Sequence, residues 1–140
     1  MHNNMFNQEI NEELIKIQES FFCNTLKSRY GYSDLINMWE QFTEECIEGY
    51  GWNIYEYDND VSIRELIELV ISNEKLKLSK EHKYFKKKIH NIDDKLKLLF
   101  FDEVKRNTGK FWWNRGILKE AGEEYMNDLQ DEYNVKIKLK

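Results

Sequence analysis

Eleven carboxylates and one cation occupy residues 33–74: Asp34, Glu40, Glu44, Glu45, Glu48, Glu56, Asp58, Asp60, Glu65, Glu68 and Glu74 against Arg64. Carboxylates at this density could hold a hard cation, divide acid and base work between a pair, or attract a basic partner. Asp58-Asn59-Asp60 opens like a calcium loop. It lacks the glycine at the sixth position and the glutamate at the twelfth that such a loop needs, so it reads as a turn. An acid–base pair would need an apolar-walled cleft with two convergent carboxylates, which linear spacing does not supply. Steering of an oppositely charged partner needs only concentrated charge of one sign.

Other chemical groups are sparse. His82 and His90 fall eight residues apart on one predicted helix, about 12 Å along its axis and too far for one metal. His2 stands near the first residue. None of the serines lies in a GxSxG elbow. Gly49 and Gly51 lack the GxxxxGK[ST] context of a phosphate loop. Cys23 and Cys46 are the only cysteines; both fall on apolar helix faces and are expected to be buried free thiols. The sequence therefore indicates no catalytic residue, no metal and no cofactor.

The sign of the charge reverses after the acidic block. From Lys75 to Lys97 there are nine lysines against Glu81, Asp93 and Asp94, so a formal −10 adjoins a formal +6 in a chain of net −5. The lysine helix could neutralise the acidic segment internally. Alternatively Lys83, Lys86, Lys87 and Lys88 could contact nucleic-acid phosphate, with Trp112 and Trp113 stacking on bases. The acidic total and the lack of any nucleic-acid-binding signature argue against nucleic acid as the main partner.

Aromatic residues accompany the acids. Tyr50, Trp52, Tyr55 and Tyr57 cluster beside Asp58 and Asp60. Rings supply contact area at protein interfaces and carboxylates supply partner choice. Of Trp112 and Trp113, one is expected to pack inward and the other to lid the core or anchor an interface.

The elements that must position these groups follow from apolar periodicity. Ile10, Leu14, Ile17 and Phe21 predict a helix from about Gln8 to Lys27. Leu35, Trp39, Phe42 and Cys46 predict a second over Asp34–Glu48, with Ser33 as its cap and Glu40, Glu44 and Glu48 on another face. Trp52–Tyr57 alternates like a short strand. Ser62 and Glu65 match a capping box opening a helix that ends near Asn73. Ser79 caps the longest helix, about Lys80–Lys105. A last helix spans about Asn114–Tyr133, with Leu118, Ala121, Tyr125 and Leu129 inward. Val135, Ile137 and Leu139 alternate with lysines as a terminal strand that could pair with residues 52–57.

The expectation is a mainly α fold: about five helices in one domain, 1–140, with a flexible 1–7 segment and a small two-stranded β addition. Apolar content of 41% and the absence of proline suit packed, uninterrupted helices. No apolar run long enough to span a membrane and no secretory signal are present, which predicts a cytoplasmic location.

Trp39…Cys46…Gly49-Tyr50, Tyr55-Glu56-Tyr57-Asp58-Asn59-Asp60 and Arg64…Ile67 resemble bacterial immunity proteins of contact-dependent growth inhibition and other polymorphic toxin systems. Trp112-Trp113…Gly116-Ile117-Leu118…Ala121-Gly122…Tyr125 adds to the resemblance. It implies a non-enzymatic inhibitor that covers the substrate cleft of a cognate toxin, often a basic nuclease, and it assigns no residue a role. The charge pattern independently selects Glu44, Glu48, Tyr55, Glu56, Asp58 and Asp60 as partner contacts. The alternatives are a nucleic-acid-associated accessory protein using helix 80–97 and a small enzyme with carboxylate chemistry. Oligomeric state has no signature.

Overall fold

The computed structural model describes residues 2–22 and 29–140, with side chains from Gln8 onward. Cys23, the helix end expected at Lys27 and the side chains of the 1–7 segment lie outside the described residues. The chain order is α1 (His2–Phe21), α2 (Tyr32–Gly49), α3 (Ile54–Val61), α4 (Ile63–Ile71), a 3-10 turn (Leu76–Leu78), α5 (Lys80–Lys97), β1 (Phe100–Lys105), a one-turn α6 (Trp112–Arg115), β2 (Gly116–Leu118), β3 (Glu120–Ala121), α7 (Glu123–Tyr133) and β4 (Lys138–Leu139). The fold is mainly α with a small β addition, as the periodicity predicts. β1 pairs antiparallel with β2, and β3 pairs parallel with β4.

α2 packs along α5 while α1 lies against α4. Leu35, Trp39, Phe42 and Cys46 are buried on α2; Phe85, Ile89, Ile92 and Leu96 are buried on α5. Each set recurs at three- and four-residue spacing, so one stripe per helix faces the other. Ser79 caps α5 as expected, its hydroxyl accepting the His82 N–H at 3.1 Å. Ser33 does not cap α2. Gly31 holds that position, and the Asp34 carboxylate accepts the Gly31 N–H at 2.8 Å.

A buried ionic node joins four helices. Arg64 of α4 donates to both Asp93 oxygens on α5, Nε at 3.0 Å and Nη2 at 2.9 Å, and its Nη1 donates to Glu68 at 3.0 Å. Trp39 of α2 donates to the same Asp93 at 2.9 Å. The Arg64 guanidinium lies 4.6 Å from the ring centroid of Trp113 on α6. Both ends of the pair are almost fully buried, so hydrogen bonds must replace the lost water, and they do.

Six expectations are corrected. Residues 54–61 are helical rather than a strand. Asn53 caps them by accepting the Glu56 N–H at 2.9 Å, and Ile54, Tyr57 and Val61 are buried at helical spacing. Asp58-Asn59-Asp60 is therefore part of α3, not a turn. Ser62 forms no capping box: it is itself helical, and its hydroxyl donates to the Asn59 carbonyl at 2.6 Å. α3 runs into α4 almost without interruption, so preceding carbonyls already serve the first N–H groups of α4. Glu65 thus has no cap to make.

The helix expected to be the longest, α5, stops at Lys97, because Phe100–Lys105 pairs with β2, and its 18 residues are fewer than the 20 of α1. The last helix begins only at Glu123. Leu118 and Ala121 are buried as expected, but from strands. The terminal strand pairs with β3, Glu120 opposite Lys138 and Ala121 opposite Leu139, not with residues 52–57.

Candidate protein-binding groove

Residues of α2 and α3 line an open groove of about 810 Å³. Met38, Gln41, Phe42 and Glu45 form its α2 wall, one stripe at i, i+3, i+4 and i+7. Glu56 and Asp60, four residues apart, form the α3 wall; Trp52 and Glu124 also line the groove. Trp52 is 59% exposed, a large ring left at the rim. Gln41 and Glu45 also border the next depression, which runs over Glu40, Glu44 and Glu48 along α2. Seven carboxylates therefore share one continuous surface, and among the described residues no lysine or arginine lines either part.

The local sequence explains how these groups are held. The α3 entry is fixed by Asn53 and by Asp128 of α7, which accepts the Ile54 N–H at 3.0 Å, a carboxylate at a helix N-terminus. Gly122 brings α7 close enough to place Glu124. Its N–H donates to the Tyr50 carbonyl at 2.8 Å, and a Cβ there would stand only 2.8 Å from that oxygen. Beneath the floor, Phe42, Tyr50, Tyr57 and Tyr125 pack with centroids 5.4–6.1 Å apart, the geometry of edge-to-face contact.

The six residues selected from sequence do not form one cluster. Glu56 and Asp60 line the groove, and Glu44 and Glu48 lie on the adjoining face. Asp60 also accepts the Tyr50 hydroxyl at 2.7 Å. Burial first, and then that bond, hold the Tyr50 phenol above its ordinary range. Asp58 belongs to a different structure. It takes the buried Arg106 guanidinium at 2.6 and 2.8 Å, and Arg106 also donates to the Tyr133 hydroxyl at 3.1 Å. Tyr55 is exposed but donates to Glu132 of α7, and that bond raises its phenol. Tyr50 and Tyr57, expected among the contact rings, are fully buried.

Three contributors escaped the sequence selection. Glu45 completes the Met38–Gln41–Phe42 stripe. Glu124 comes from the opposite end of the chain, and only the close approach at Gly122 reveals it. Trp52 was recognisable as one ring of four, but linear spacing could not separate it from the buried Tyr50 and Tyr57.

Internal neutralisation by the lysine helix does not occur at contact distance. Among the described residues no lysine of α5 lies within 4.0 Å of a carboxylate; the nearby pairs are Lys75–Glu13 and Lys77–Glu74. Cys46 is buried, and burial, then the charges of Glu45 and Asp60, push its thiol well above the ordinary range, which keeps it from acting as a thiolate. His82 meets the Ile71 carbonyl and Tyr32, not a metal-ligand set. Among the described residues no three His, Cys, Asp or Glu side chains are grouped to hold a metal ion, and no helix is long and apolar enough to cross a membrane.

Set against known protein families, characterised proteins and solved structures, the chain gives no match.

Proposed function

We propose that the protein is an inhibitor of the immunity type, which neutralises a cognate toxin by laying the α2–α3 groove on a basic surface of it. The carrying observation is seven carboxylates on one continuous face, with no cation lining it among the described residues and an exposed tryptophan at its rim. Carboxylates of one sign raise association rates with a basic partner, and a desolvated ring supplies contact energy. A nuclease cleft lined with lysine and arginine for phosphate fits this chemistry, because the groove presents the same charge as the substrate. The partner-binding set becomes Glu44, Glu45, Glu48, Glu56 and Glu124 with Trp52.

Carboxylate catalysis is less well supported. An acid and a base of the same type need unlike surroundings. Glu45, Glu56 and Glu124 are all exposed in an open groove, and the Asp60 carboxylate is engaged by Tyr50.

The test is affinity for the toxin domain encoded by the neighbouring reading frame, measured with the triple variant E45K/E56K/E124K. It spares Asp58 and Asp60, whose carboxylates hold the fold. The expected result is a large loss of affinity and a weaker salt dependence, with far-ultraviolet circular dichroism unchanged. Unaltered affinity and salt slope would remove the groove from the interface.

The nucleic-acid reading retains one observation. Lys83, Lys86, Lys87 and Lys88 are exposed, and Tyr84 is 60% exposed beneath Lys88, 5.7 Å from its ring centroid. It predicts steeply salt-dependent binding to DNA or RNA. No shift of either at low salt would dispose of it.

A further inference from the structure

A smaller concavity of about 390 Å³ lies at the β1–α6 end of the molecule, and its charge is reversed. Four cations line it, Lys97, Lys105, Lys110 and Arg115, against one carboxylate, Asp102. None of the four lies within 4.0 Å of a carboxylate among the described residues. Concentrating like charges around a concavity is unfavourable unless an anion occupies it. These cations are not the lysines of the 83–88 face; only Lys97 belongs to α5.

The walls are aromatic and fixed in place. Phe100 is buried and crosses Gly116, where a Cβ would stand 2.3 Å from its ring. Only glycine permits that approach. Phe100 meets Trp112 edge-on at 6.3 Å, and Trp112 meets the buried Trp113 edge-on at 5.5 Å. Trp112 is therefore held by neighbours on two sides while remaining half-buried at the pocket. The Lys97 ammonium stands 4.6 Å from its ring centroid, within cation–π range. Phe101, also half-buried, lines the same space. Arg115 is oriented too: Nε and Nη2 donate to the Gly109 carbonyl at 3.3 and 3.2 Å, leaving Nη1 free for a ligand.

We propose that this pocket binds a nucleoside phosphate, its phosphate held by Arg115 and the lysines and its base stacked on an aromatic wall. Two requirements converge here. Uncompensated cations with an oriented guanidinium select a phosphate, which arginine holds by charge-assisted hydrogen bonds. A flat ring beside them selects a planar base, since stacking is tolerant of base identity. A base taking the Trp112 face displaces the Lys97 ammonium, which then turns to the phosphate. The volume lies near the lower end of small-molecule sites, suited to one nucleotide rather than to a strand. The proposal does not rest on the acidic groove and stands or falls separately from it.

The test is calorimetric titration of the full chain at low salt with AMP, UMP, adenosine, inorganic phosphate and a single-stranded oligonucleotide. Either nucleotide is expected to bind about tenfold or more tighter than adenosine or inorganic phosphate, and to weaken as salt rises. Trp112→Leu and Arg115→Glu should each lower nucleotide affinity about tenfold or more. Arg115 is exposed, so its variant retains the fold even if Trp112→Leu does not. Failure of both nucleotides to bind would overturn the proposal, as would equal binding of inorganic phosphate or no effect of Arg115→Glu. Tighter binding of the oligonucleotide than of either nucleotide would overturn the assignment to a single nucleotide.

Discussion

Asp93 and Glu44 are carboxylates on two helices that pack together, yet they serve opposite ends. Asp93 sits where α2, α4, α5 and α6 meet, takes three hydrogen bonds from Arg64 and Trp39, and is nearly removed from water. Glu44 faces solvent in a row with Glu40 and Glu48. The node uses the minority charge of each block. Arg64 is the only base among the eleven acids of residues 33–74, and Asp93 is one of three acids among the nine lysines that follow. The majority charges of both blocks remain outside. Fold and proposed binding surface therefore draw on the same residue types but on different members of them.

The sharpest way to break this comparison is Asp93→Ala. It leaves the buried Arg64 with Glu68 as its one carboxylate partner beside the Trp113 ring, and the Trp39 indole N–H without its acceptor. A loss of roughly 3–5 kcal/mol is expected, the usual cost of removing one partner of a buried pair. Urea denaturation measures it. Adding Arg64→Met to Asp93→Ala should recover part of the loss, because the uncompensated charge is then gone. If Asp93→Ala lost no more than Glu44→Ala, the distinction between inner and outer carboxylates would collapse.

Asp58 gives an intermediate case. Its side chain is 42% exposed, while that of Arg106 is 2% exposed. Asp58→Ala strands a buried guanidinium that still has the Tyr133 hydroxyl and the Asn114 carbonyl. A loss of about 1–3 kcal/mol is expected, smaller than at Asp93. Affinity for the proposed toxin partner should change little once the variant is folded, since Asp58 does not line the groove. A selective loss of affinity with full stability would return Asp58 to the interface.

Much of this division was hidden for a definite reason. Periodicity reports which residues face inward, and it did so for α2, for α5 and for Leu118, Ala121, Tyr125 and Leu129. It does not report conformation where two periods overlap. Ile54 and Tyr57 satisfy a helix at i, i+3, whereas the Trp52–Tyr57 run also alternates like a strand. Val61 extends the helical spacing, but the intervening Asp58-Asn59-Asp60 has the composition of a turn. Asn53 as a cap was the available signal. Partner choice among charges is less accessible still. Nothing in the linear spacing separates Asp58, bound to a residue 48 positions away, from Glu56, which opens into the groove. Arg64 stands out in the sequence only as the lone cation of the acidic block, and nothing in linear spacing points to its partner Asp93, 29 positions away.

His82 extends the comparison to a titrating group. It is buried; its Nε2 lies 2.9 Å from the Ile71 carbonyl, and a carbonyl can only accept. Nε2 therefore carries the proton, and Nδ1 is free to accept from the Tyr32 hydroxyl at 3.3 Å. Burial, aided by Lys86 and Lys77 and opposed by the Ile71 bond, lowers its pKa below the ordinary 6.5. A depressed histidine stabilises the fold fully above its unfolded value. That contribution is lost as pH falls below about 6.5 towards the folded value. His82→Gln, which keeps a donor for Ile71, should flatten this part of the stability profile between pH 7 and pH 5. An unchanged acid limb would place the sensitivity elsewhere.

The smallest effect carries the opposite sign. Glu44 stands four residues from both Glu40 and Glu48, and like charges at that spacing cost a few tenths of a kcal/mol for each pair. Glu44→Gln should therefore make the protein slightly more stable at low ionic strength, with the gain fading as salt screens the row. If the proposed function holds, the same substitution should weaken binding of the proposed toxin partner and reduce its salt dependence, because one steering charge is lost. A carboxylate whose removal stabilises the free protein but weakens the complex is retained for the partner, whereas one whose removal unfolds the protein is retained for the fold. If Glu44→Gln lowered stability, the row would be bound up with the fold after all, and the boundary drawn between Asp93 and Glu44 would have to move outward to the surface of α2.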